Sequence, residues 1–100
     1  MIPPETRGRA VRARHQFYLT TPALWPAWPF LPVVRRRPGA EPELGVVFDA
    51  AGVCGLPGYG ATVFRCNLFE LPPTVAGVLA LPREAFASAD DLVAAGWRVD

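Results

Sequence analysis

Few side chains in this sequence can do chemistry. It holds one histidine, His15, one serine, Ser88, and two cysteines, Cys54 and Cys66. A serine nucleophile needs a histidine and an acid arranged around a free hydroxyl. Ser88 stands directly before Ala89-Asp90-Asp91-Leu92, where its oxygen suits a helix N-cap, so no serine is left over. A cysteine nucleophile needs a positive neighbour to lower its pKa. Cys66 and His15 both fall on inward faces of expected strands, yet no third, orienting group can be named. A buried thiol otherwise behaves as a small hydrophobe. One histidine and two cysteines without a CxxC pair are poor spacing for zinc. The run from Gly52 to Gly60 is rich in glycine, but a strand rather than a helix follows it and the chain has no lysine. A phosphate loop opens a helix and usually brings a Lys or Ser/Thr. A wide hairpin loop with positive φ angles fits better, and its apolar tip, Leu56 and Tyr59, is suited to contact. The expectation is a non-enzymatic protein with no catalytic residue, cofactor or metal.

Two groups of residues are suited to binding instead. Trp25, Trp28 and Phe30 lie within six residues, and each brings on the order of 150–250 Å² of buriable surface. Of the two indoles, Trp28 is expected inside, because it is nearer the following strand, and Trp25 outside as an interface anchor. The second group is arginine. All ten basic residues are Arg, against nine acids, for a net charge of +1. They are unevenly placed: residues 1–40 hold seven arginines and one acid, and residues 41–100 hold three arginines and eight acids. Arg7, Arg9, Arg12, Arg14, Arg35, Arg36 and Arg37 are therefore candidates for gripping nucleic acid, with Tyr18 sharing the face of Arg12 and Arg14. The competing reading is that the two halves neutralise each other within the fold.

The elements that must position these residues are short. The chain has 100 residues, 51% of them hydrophobic and 19% charged, with 12 prolines and nine glycines. That suits one folded domain and excludes a bundle of long helices. Residues 1–9 read as a loose arm. Val11, Ala13, Phe17 and Leu19 alternate with Arg12, Arg14, Gln16 and Thr20, which predicts a half-buried strand. Residues 21–32 carry Pro22, Pro26, Pro29 and Pro32; they read as an extended, turn-rich segment wrapping the core, and the same prolines break any membrane span there. A strand is expected from Phe30 to Arg36, and a turn at Pro38-Gly39.

Leu44–Ala50 and Ala61–Phe69 form the clearest strand pair. Setting Val46 opposite Phe64 places Leu44, Val46, Phe48, Thr62, Phe64 and Cys66 on one face, and a one-residue slip would mix the sets. The other face is only partly polar and calls for a cover. In this register Cys54 and Cys66 lie about six strand residues apart in level, roughly 20 Å, which predicts two free thiols. Residues 71–82 fit either a helical turn or a short strand. Ser88 opens a short helix that Leu92, Val93 and Phe86 dock and Gly96 stops, and Trp97 and Val99 follow as an extended tail.

The fold expected is small α+β, a single domain over residues 1–100: a mainly antiparallel sheet of three to five strands, one short C-terminal helix, and the Pro/Trp-rich wrapping segment. The function expected is a cytoplasmic interaction or accessory module that binds a protein partner or a second copy of itself. Its candidate residues are Trp25, Trp28, Phe30, Leu56 and Tyr59. The alternative is a nucleic-acid-binding accessory protein using the arginine-rich first half.

Overall fold

The computed structural model describes residues 4–100, with side chains from Gly8 onward. A long first helix, α1 (Pro4–Leu19), leads through a 3-10 turn (Pro22–Leu24) into strand β1 (Phe30–Arg35). Strand β2 (Glu43–Phe48), helix α2 (Ala50–Cys54) and strand β3 (Thr62–Phe64) follow. A second 3-10 turn (Leu68–Glu70), helix α3 (Val75–Leu79), strand β4 (Arg83–Ala85), helix α4 (Ala89–Ala94) and strand β5 (Trp97–Val99) complete the chain. The strands make one antiparallel sheet in the order β4-β3-β2-β1-β5. This is the small α+β fold expected, at the upper end of the strand count. Among the described residues no helix is long and apolar enough to cross a membrane.

Both faces of the sheet are buried, which explains why β2 is apolar at successive positions rather than alternating. Val33, Val47 and Val63 face one way and pack with Leu19 of α1, Leu92 and Val93 of α4, Trp25 and Trp97. Val46, Phe48 and Phe64 face the other way and pack with Ala50 of α2 and Val78 of α3. The cover over the second face is therefore helical. Val46 pairs with Phe64, the register that the hydrophobic pattern required.

Pro32 sits inside β1 without breaking it. In an antiparallel strand the N and O of one residue point to the same side. Pro32 O accepts from Asp100 N at 3.0 Å, just past the end of β5. The missing donor thus lies on the β5 side, level with Asp100 just beyond the last paired residue of β5, where proline is tolerated.

Local chemistry sets the short helices. Ser88 Oγ accepts from Asp91 N at 3.2 Å and opens α4. Gly96, at φ 100°, ends it in a conformation that disfavours a side chain. Asp49 Oδ1 accepts from Gly52 N at 3.1 Å and opens α2. Thr74 Oγ1 accepts from Gly77 N at 3.0 Å and opens α3, so residues 71–82 take the helical option.

Four expectations are corrected. The segment from Val11 to Leu19 is helical, with Thr20 in the turn that follows, and so is the supposed arm from Pro4 onward; residues 1–3 lie outside the described residues. Arginine, alanine and glutamine are strong helix formers, and proline is accepted in the first turn. The period-two pattern misled because, among the described side chains of this helix, only Leu19 is fully buried. A helix docked at one end carries no 3.6-residue stripe. The connection after β2 contains α2 rather than being all loop, because Asp49 supplies a cap. The strand expected through Phe69 stops at Phe64, because Asn67 Oδ1 accepts from Phe69 N at 3.0 Å and turns the chain.

Candidate functional site

The proline- and tryptophan-rich segment, residues 21–32, forms an aromatic elbow, and its indoles are placed opposite to expectation. Trp25 is the buried one: it joins the core, and its Nε1–H donates to Tyr18 O at 2.6 Å. Trp28 is 50% exposed. Its Nε1–H donates to Asp49 Oδ2 at 2.9 Å, so one carboxylate both caps α2 and orients the indole. The reversal comes from the 3-10 turn at Pro22–Leu24, which turns Trp25 back under α1. Phe17 is 58% and Leu24 46% exposed nearby in the chain. Phe30 is half-buried and stacks on Phe48, with ring centroids 5.1 Å apart. Leu56 is exposed on the loop after α2. Tyr59 is half-buried against Phe64 at 6.1 Å, with the Arg83 guanidinium 5.8 Å from its ring. Of the contact residues expected, Trp28 and Leu56 present surface, Phe30 and Tyr59 present part of theirs, and Trp25 is withdrawn.

The arginines divide in the same way. Arg9, Arg12 and Arg14 are exposed along α1, and Arg36 and Arg37 in the turn after β1. The Arg7 side chain lies outside the described residues. Arg35 is 4% exposed and is corrected to a core residue. Its guanidinium bonds Glu43 at 2.6 Å and Glu84 at 3.1 Å. Arg65 bonds the same two carboxylates, each at 3.0 Å. The result is a closed ring of alternating charge drawn from four neighbouring strands or their ends. Both guanidiniums pack on Trp97, at 4.6 and 5.5 Å from its centroid. Hydrogen bonds from Arg35, then Arg65, hold the Glu43 carboxyl down at about 2. The two halves of the charge pattern thus meet inside the fold. Trp97 Nε1 is the one buried side-chain polar atom without a partner among the described residues.

His15 and Cys66 are each engaged elsewhere. His15 Nδ1 accepts from Val99 N at 3.0 Å, which covers a backbone donor on the outer edge of β5. Burial lowers the His15 pKa, with help from Arg98 and Arg14. Cys66 Sγ donates to Asn67 O at 3.1 Å. Burial, with the charge of Glu70, pushes its thiol up, the opposite of what a nucleophile needs. Cys54 and Cys66 are both free.

Between α1, the elbow and the end of β5 lies a cavity of about 540 Å³. Leu31, Pro32 and Val99 form its floor and Ala27 a wall, while Arg14, His15 and Tyr18 line the α1 side. Sequence reasoning missed it, since it is built by a helix read as a strand. Comparison with known families, with characterised proteins and with solved structures finds no match to this chain.

Proposed function

We propose that this chain is a small non-enzymatic interaction module, cytoplasmic, that binds a protein partner or a second copy of itself through the aromatic elbow. The observation that carries this reading is Trp28, an indole left half in water yet held in one orientation by Asp49. A half-exposed tryptophan whose ring N–H is held by a carboxylate is the kind of side chain that anchors interfaces. Leu56 and Tyr59 extend the apolar contact surface. The two free thiols support a reducing compartment.

The test is a photo-crosslinking residue placed at Leu56, whose N–H donates to Ala50 O next to the Asp49 that holds Trp28, with Pro73 as an exposed control. A discrete adduct at 56 that is absent at 73, and lost when Trp28→Ala is added, is expected; labelling at 56 and 73 alike is not. Equal labelling at both positions, or labelling indifferent to Trp28, overturns the reading.

A second reading rests on the exposure of Arg9, Arg12 and Arg14 along α1. In it the helix binds nucleic acid phosphates. Affinity would then fall steeply with salt, and changing these three arginines to Ala would flatten that slope. No binding at physiological salt excludes it.

A further inference from the structure

We propose that the cavity between α1 and the β1–β5 edge binds a small organic anion with a flat apolar body, a ligand class separate from any partner at the elbow. Its volume of about 540 Å³ falls in the range of small-molecule sites, roughly 300–1,000 Å³. The floor of Leu31, Pro32 and Val99, with Ala27 beside it, offers an apolar bed without polar groups from side chains. Polar chemistry is concentrated along α1. Arg14 carries a fixed positive charge and only donors. His15 is similarly constrained: Val99 N–H occupies Nδ1, so the neutral ring carries its proton on Nε2 and the remaining nitrogen is a donor. Tyr18 adds a hydroxyl. Donors on one side and an apolar bed beneath match a carboxylate or sulfonate attached to an aromatic or alicyclic body. Asp100 also lines the cavity. Its negative charge favours orienting the anionic group toward Arg14 and away from itself.

The site is also pre-formed rather than opportunistic. The β5 backbone holds the His15 imidazole, and Trp25 Nε1–H to Tyr18 O pins the end of α1 to the elbow that carries Ala27. Preorganised walls lower the ordering cost of binding.

The experiment titrates the whole chain with 8-anilinonaphthalene-1-sulfonate near neutral pH, with near-UV circular dichroism confirming native packing throughout. A saturable fluorescence rise with one probe per chain, competed by naphthalene-2-carboxylate, is expected. Ala27→Trp fills the cavity and should weaken binding by about tenfold or more, on the scale of 1.4 kcal/mol per decade. Arg14→Gln, at an exposed helix position that folding tolerates, should weaken it severalfold and remove most of its salt dependence. Trp28→Ala should leave it unchanged, which separates this site from the interaction surface. Absence of saturable binding, or equal affinity in wild type and Arg14→Gln, overturns the proposal.

Discussion

Trp25 and Trp28 show how one side chain type serves two ends three residues apart. Trp25 buries its ring among Leu19, Leu31 and Leu92 and finds a carbonyl for its N–H. Truncating it removes a core aromatic, so Trp25→Ala should cost about 3–5 kcal/mol in urea unfolding. Trp28 has half its surface in water already, and Trp28→Ala should cost about 1 kcal/mol or less, since the main loss is one exposed hydrogen bond. Equal costs would contradict the placement of the elbow. The cysteines differ in a comparable way. Cys54 is exposed, whereas Cys66 is half-buried with a raised pKa. A thiol reagent on the native protein should label Cys54 first and Cys66 more slowly, and unfolding without reductant should release both.

At the scale of elements, the sheet depends on one close approach. Gly45 of β2 lies beneath the Trp97 indole, and a Cβ there would collide with Val63 Cγ1 and crowd the Phe64 carbonyl at 3.1 Å. Any side chain would force the Val63 side chain aside and press on β3, while the Trp97 indole, at 3.5 Å, stays in ordinary contact. Gly45→Ala should therefore destabilise by about 1–3 kcal/mol despite the better strand propensity of alanine, as overpacked cores do. For a domain of this size that is a drop of several degrees or more in melting temperature. A neutral result would mean that Val63 gives way without loss of packing.

At the scale of the whole molecule, the charge ring ties β1, β2, β4 and the end of β3 together, and acid should unlace it. The Glu43 carboxyl is held at about 2 against its usual 4.5. Burial pushes Glu84 up, but Arg35 and Arg65 outweigh it and leave it lowered. A depressed carboxyl pKa contributes stability that is present above the unfolded value and lost as pH falls toward the folded one. His15 adds an earlier loss. Its folded pKa lies below 6.5, so the unfolded chain takes up the proton first and stability starts to fall near that pH. Urea midpoints should thus decline in two stages, one beginning near pH 6.5 and one between about 4.5 and 2. His15→Gln should remove the first stage, and Glu43→Gln should start less stable and lose much of the second. A midpoint unchanged down to pH 3 would show that the ring adds nothing to stability.

Some of this architecture was legible in the residues alone. The parity of Leu44, Val46 and Phe48 against Thr62 and Phe64 settled the β2–β3 register, because a slip of one would have mixed the two faces. Ser88, the two aspartates after it and Gly96 marked both ends of α4, because caps are local chemistry. The cavity and the sorting of like residues were not legible. Whether Trp25 or Trp28 goes inside depends on a single turn at Pro22–Leu24, and whether Arg35 or Arg36 is buried depends on Glu43 and Glu84 meeting it from other strands. The helix α1 escaped notice because, among its described side chains, only Leu19 is fully buried, so no periodic stripe marks it. Local pattern reports an element when the element itself is half-buried and regular. Which of several equivalent side chains ends in the core is decided by partners distant in sequence, and those are brought together only by the tertiary structure.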